Sequence, residues 1–179
     1  MQTIDFDKLK LSSGDRLLDV GCGEGRHTIE AYLAADIEAI EVDLSGKDIS
    51  VEKEKAKAFV DPVNKNKYIE FKTENALKLP FEDNYFEKVV CSEVLEHIPD
   101  FKGVLAEINR VLKPDGVLAV SVPRAWPEEI CWRLSQAYHE VESGHILIFN
   151  DVHLRREVEI LGLKRYARHW AYALHVTYW

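Results

Sequence analysis

Three glycines at alternate positions, Gly21, Gly23 and Gly25, close the short apolar run Leu17-Leu18-Asp19-Val20 and open a helix-like segment from His27 to Ala35. A strand, a loop and a helix in that order make a cradle for a ligand, because glycine accepts positive φ and leaves main-chain atoms open to close approach. About twenty residues on, Asp43 ends an apolar–acidic alternation from Ile37 to Val42, and a carboxylate there is suited to accept hydrogen bonds from a ribose diol. Two ligand classes share this pairing, dinucleotides and adenosyl sulfonium compounds. The dinucleotide fingerprint needs its third glycine where Arg26 stands, since that glycine permits close helix–strand packing, so the spacing disfavours a dinucleotide.

These residues need a scaffold, and the hydrophobic pattern supplies one. Strands are expected at about Arg16 to Val20, Ile37 to Val42, Tyr68 to Lys72, Phe86 to Cys91 and Val117 to Val122. Between them, Ser45-Gly46-Lys47-Asp48 resembles a capping box opening a helix to about Val60, with Ile49, Ala56 and Phe59 as its buried stripe. Asp100 caps a second helix in which Val104, Leu105, Ile108, Val111 and Leu112 share one face. Lys113-Pro114-Asp115-Gly116 reads as a turn, with proline pre-setting φ at its second position. Asn150 caps a helix to Leu161 that buries Leu154, Val158 and Leu161, and Leu163 to Trp170 reads as one more strand. Strands alternating with helices imply an α/β, mostly parallel sheet with helices on both faces and six visible strands. Ligands of such sheets sit at the carboxyl ends of the strands, which aligns the glycine loop, Asp43, the segment after Lys72 and the segment after Cys91 on one rim.

Composition narrows the function classes. The 179 residues suit a single domain, 1–179, and 46% hydrophobic with 30% charged residues is the balance of a globular protein. No apolar run approaches the roughly 20 residues that span a bilayer, and Met1 to Lys10 lacks a signal-peptide core, so a cytoplasmic setting is expected. The three cysteines, Cys22, Cys91 and Cys131, show neither a disulfide framework nor a C-x-x-C pattern, and no metal site is expected from them. A net charge of −8 argues against nucleic acid as a partner, because phosphate-backbone binding rests on clustered Lys and Arg.

Five segments in order carry a specific resemblance: Leu18-Asp19-Val20-Gly21-Cys22-Gly23-Glu24-Gly25, Val42-Asp43-Leu44-Ser45, Asn75-Ala76-Leu77-Lys78-Leu79-Pro80-Phe81, Cys91-Ser92-Glu93-Val94-Leu95-Glu96-His97-Ile98 and Arg110-Val111-Leu112-Lys113-Pro114-Asp115-Gly116. Over about residues 16 to 123 the chain resembles the class I S-adenosylmethionine-dependent methyltransferases, which have a Rossmann-like three-layer sandwich. The resemblance implies S-adenosylmethionine as cofactor, S-adenosylhomocysteine as product and a small-molecule acceptor. It implies that Gly21, Cys22, Gly23 and Gly25 cradle the methionine part and that Asp43, with Leu44 beside it, takes both ribose hydroxyls. Asn75 and Ala76 would read the adenine edge, and the backbone at Ser92 would face the sulfonium. The family more often has Asp where Asn75 stands, yet the amide carbonyl still accepts one hydrogen bond. The resemblance implies that Asp19 is a cofactor-side carboxylate that orients the loop or, through water, the ligand amino group; capping its own loop's amides is the alternative, and the two roles can coexist.

Transfer from a sulfonium mainly requires alignment and exclusion of water, so a dedicated base is optional. If the acceptor is a hydroxyl or a protonated amine, a histidine is the usual base. His145, opening Gly144-His145-Ile146-Leu147-Ile148-Phe149, is the first candidate; the segment resembles the family's substrate-side stretch. His97 is the second, with packing beneath the cofactor as its alternative role. Trp126, Trp132 and Tyr138, with Ile130 and Leu134, either line an acceptor pocket or belong to a core-facing helix. Two further readings remain: a non-catalytic adenosyl-ligand-binding protein and, more weakly, a nicotinamide oxidoreductase. The aromatic end, Ala171 to Trp179, either supplies an irregular final strand or marks a truncated piece of a longer protein. With six strands, its aromatic residues would be poorly ordered or packed in a homodimer contact at an unpaired edge.

Overall fold

The computed structural model describes residues 3–21, 26–126, 129, 144–171 and 174–178. Its strands are β1 (Arg16–Val20), β2 (Glu38–Asp43), β3 (Tyr68–Thr73), β4 (Phe86–Ser92), β5 (Leu112–Pro123), β6 (Ala167–Ala171) and β7 (Leu174–Tyr178). Its α-helices are α1 (Phe6–Leu9), α2 (Arg26–Ala34), α3 (Gly46–Ala56), α4 (Phe101–Val111) and α5 (Asp151–Ile160), with a 3₁₀ turn at Leu95–His97 after β4.

All seven strands join one sheet in the order β3-β2-β1-β4-β5-β7-β6. The first five are parallel; β7 pairs antiparallel with β5 on one side and β6 on the other. The alternation of side chains along a strand sends Leu18, Val20, Val89, Cys91, Leu118 and Val120 to the face covered by α4 and α5. Leu17, Ala39, Val90 and Ala119 point the other way, toward Ile4 and Leu9 of the N-terminal segment and Ala31 and Tyr32 of α2. Burial on both faces explains why the parallel strands read as nearly continuous apolar runs. The three-layer α/β sandwich is therefore as expected.

Helix α4 buries Val104, Leu105, Ile108 and Val111, and the Asp100 carboxylate accepts from the Gly103 amide at 3.0 Å. The other expected caps also form: Ser45 Oγ accepts from Asp48 N at 3.2 Å, and Asn150 Oδ1 from His153 N at 2.8 Å.

Four expectations change. The sheet has seven strands, not six, because Ala167–Ala171 and Leu174–Tyr178 are two paired arms rather than one strand and a tail. Tyr172-Ala173 between them carries none of the Asn-Gly or Asp-Gly chemistry that announces a hairpin. Strand β7 pairs on both sides and Tyr178 is buried, so the described sheet ends on β6 rather than on β5. Lys113-Pro114-Asp115-Gly116 is not a free turn but a bulge inside β5: Phe86 lies opposite Leu112 and Lys88 opposite Val117, so the single Glu87 faces residues 113–116. The Glu87 carboxylate collects Lys113, the Arg16 guanidinium and the Arg16 amide; burial alone would raise its pKa, but these donors hold it at about 2. Phe59 is half exposed rather than buried, because α3 ends at Ala56 and its inner stripe is Ile49, Glu52 and Ala56. Finally, α1 was not legible in the sequence; Asp5 caps it by accepting from Asp7 N and Lys8 N. Trp132, Tyr138, Ile130 and Leu134 lie outside the described residues, whereas Trp126 is exposed.

Candidate active site at the strand tips

The parallel strands deliver Val20, Asp43, Thr73, Ser92 and Pro123 to one edge of the sheet, and the strand order reverses between β1 and β4, the kind of switch point at which such sheets bind ligands. Cys22, Gly23 and Gly25 of the glycine loop fall outside the described residues. Gly21 is described, and its geometry adds a reason for glycine that the sequence did not offer. Its φ is +70°, its amide donates to Val42 O at 2.8 Å, and a Cβ there would overlap Val94 Cγ2. Glycine at this position lets the first turn after β1 pack against the segment that follows β4.

Asp19 sits one residue before the tip of β1 and is 1% exposed. Thr28 Oγ1, in the first turn of α2, donates to Asp19 Oδ2 at 2.9 Å, while Asp19 Oδ1 is buried with no hydrogen-bond partner among the described residues. Burial raises its pKa to about 7, the Thr28 hydrogen bonds oppose that rise, and the charge of Asp43 adds to it. A buried carboxylate with an open oxygen beside a glycine loop suits a cationic group such as an α-ammonium. The donor's amino-acid end is of that kind, so the residues present fit it.

Asp43 is half-buried at the tip of β2. Its Oδ1 accepts from Ser45 N at 2.7 Å, which starts α3, and its carbonyl accepts from Glu74 N at 2.9 Å. That second bond brings the Asn75 segment alongside Asp43. Asn75 is exposed and its Oδ1 accepts from Leu77 N at 2.9 Å, so one lone pair of the amide oxygen remains for a ligand amino group. Ala76 packs on the main core, and Leu44 is 74% exposed at the rim. Ser92 Oγ shares a 2.6 Å hydrogen bond with Ser121 Oγ across β4 and β5. Directly after it, Glu93 adopts φ +57° and donates its amide to Ser121 O at 3.0 Å, turning the chain sharply off the strand.

The two histidine candidates converge. Ile146 N and Leu147 N both donate to the Glu96 carbonyl, at 2.9 and 3.1 Å, and His97 Nδ1 lies 3.2 Å from Gly144 O. Phe149 is buried against Phe101, edge to face, with ring centroids 5.0 Å apart. These anchors pin the strap 144–149 onto the 3₁₀ turn and bring the His145 ring to 4.8 Å from that of His97. Three other described histidines make contacts of their own. His27 is buried and bonded to Thr3 Oγ1 at 2.6 Å, with burial and the neighbouring Arg26 holding its pKa down at about 4. His169 Nε2 donates to Thr3 O, and His153 stacks on Phe149. The buried Cys91 thiol is pushed well above its ordinary range by burial. Sequence reasoning missed Thr28, Val94, Glu96 and Ser121, which matter only through partners that lie far away along the chain.

The reversed strand order, the antiparallel β7 and the acidic tip of β2 together define a Rossmann-like methyltransferase fold. The chain belongs to the methyltransferase-domain family, matching its profile over residues 18–120. It is 37% identical over 113 residues to the 27-O-demethylrifamycin SV methyltransferase of Amycolatopsis mediterranei, covering 63% of this chain and 40% of that one. It is 31% identical over 149 residues to the sterol 24-C-methyltransferase of Saccharomyces cerevisiae, covering 82% of this chain and 35% of the relative. The chain thus spans well under half the length of these curated relatives. Among solved structures, a SAM-dependent methyltransferase from Methanosarcina mazei superposes with a TM-score of 0.78 at 18% identity, covering 99% of this chain and 97% of that one, a likeness of fold. No helix among the described residues is long and apolar enough to cross a membrane.

Proposed function

We propose that the rim binds S-adenosylmethionine and that the chain catalyses transfer of its methyl group to a small-molecule acceptor, releasing S-adenosylhomocysteine, in the cytoplasm and without a nucleic-acid partner. The observation that carries this reading is Asp19: a buried carboxylate with one oxygen unpartnered among the described residues, two positions before Gly21 and close enough to Asp43 to feel its charge. When bound, the sulfonium supplies an electrophilic methyl group and leaves as a neutral thioether. Asp43 accepts from the ribose hydroxyls, the free lone pair of Asn75 Oδ1 takes the adenine amino group, and Leu44 and Ala76 flank the base. Cys22, Gly23 and Gly25, assigned to the methionine part by the sequence alone, complete the proposed cofactor site with Ser92 at the switch point. His145 and His97, held together by the strap, receive the acceptor's proton. The rifamycin and sterol relatives, whose names state small-molecule methylation, support this acceptor class.

The test is transfer of a labelled methyl group from S-adenosylmethionine to a panel of hydroxyl, amine and activated-carbon acceptors. Label appearing in an acceptor, with stoichiometric S-adenosylhomocysteine, is the expected result. Tight donor binding with no transfer to any acceptor would favour a non-catalytic adenosyl-ligand-binding protein instead.

A further inference from the structure

Glu96, His97 and His145 each offer one ligand atom, and those atoms all lie within 4.8 Å of one another. We propose that these three residues bind a divalent transition-metal cation at the acceptor end of the rim. A carboxylate and two imidazoles form the mixed O/N donor set that zinc and its first-row neighbours prefer, and three protein ligands leave a coordination position open. Metal–ligand distances near 2.0–2.2 Å require donors roughly 3–4 Å apart, so small side-chain rotations close the shell.

The surroundings are arranged for such a site. His97 Nδ1 faces the Gly144 carbonyl, an acceptor only, so Nδ1 carries the proton and Nε2 presents its lone pair, the outer-shell orientation that metal-bound histidines usually have. Glu96 is fully buried, and its own carbonyl accepts two amides of the strap that carries His145. The backbone therefore fixes the distance between the ligands before any cation arrives. The site's role in acceptor chemistry rests on the methyl-transfer reading. With the cation bound, the two imidazoles hold it and a hydroxyl acceptor in the open position gives its proton to water more easily; without the cation they are the bases of the methyl-transfer reading.

The experiment uses the whole chain, stripped of metal, without any methyl donor. Calorimetric titration with Zn²⁺, repeated with Co²⁺ followed by visible absorption, should show one saturable site per chain. His97→Ala and His145→Ala should each weaken binding by at least about tenfold, the lower end of what losing even an outer-shell partner costs. Glu96→Gln should do the same, with its fold checked by circular dichroism because the side chain is buried. His153→Ala, whose ring pairs with Glu157 at 3.6 Å away from the cluster, should leave the affinity unchanged. Absence of saturable binding at millimolar cation, or undiminished binding in the His97→Ala/His145→Ala double variant, would overturn the proposal. Because no donor is present, these outcomes are independent of methyl transfer: cation binding without turnover counts against the functional reading alone, and donor binding without cation binding against the metal site alone.

Discussion

Asp19 shows how much a single buried oxygen can reveal. Its ordinary pKa of 3.8 rises to about 7 in the folded chain, chiefly through burial, so the folded state keeps a proton that the unfolded state releases. This group's contribution to stability is therefore greatest below about pH 3.8, declines as pH rises toward 7, and levels off above it. Asn cannot ionise and can still accept the Thr28 hydroxyl. Asp19→Asn should thus gain stability relative to the parent between pH 4 and pH 8, read as a widening gap between their urea midpoints. Parallel midpoints across that range would show that Asp19 is ionised at all of them. The sequence made Asp19 and Asp43 legible because both sit at fixed offsets from the ends of strands. It could not show Glu96 beside His145, since that contact exists only after the strap 144–149 docks on the 3₁₀ turn.

The junctions between elements are where expectation and structure diverge. Local periodicity found β1 to β4, and it found α4 because five apolar residues repeat on one face and Asp100 caps the start. It failed where tertiary pairing overrides local signals. Pro114-Asp115-Gly116 has turn chemistry yet lies inside a bulged strand, and Tyr172-Ala173 has none yet links two strands. Gly21 is a case between the two: the sequence marked it for ligand access, and the structure adds contact with Val94. Gly21→Ala should therefore destabilise the fold by about 1–3 kcal/mol, from overpacking and from a φ of +70° that L-residues disfavour. Val94→Ala in the same chain should recover the overpacking share. A double-mutant cycle on thermal or urea unfolding checks this, with a coupling of about 0.5–3 kcal/mol expected between contacting residues. Strict additivity would mean that Gly21 and Val94 do not press on each other.

At the scale of the molecule, the seven-stranded sheet does two things at once. Its parallel half brings Asp19, Asp43, Asn75 and Ser92 to one rim, and its antiparallel β7–β6 pair completes the edge beyond β5. Helices on both faces leave the strand tips as the place where polar side chains gather without entering the core. On this reading the rim is an adenosyl-ligand site organised by the carboxylate of Asp43. Calorimetry with S-adenosylhomocysteine tests it most directly, comparing the parent chain, Asp43→Ala and the exposed control Glu54→Ala. One site per chain is expected, with Asp43→Ala weakening binding by about 1.5–3 kcal/mol, the range for hydrogen bonds to a charged group, and Glu54→Ala matching the parent. An Asp43→Ala affinity indistinguishable from that of Glu54→Ala, or no binding by the parent at millimolar ligand, would contradict it.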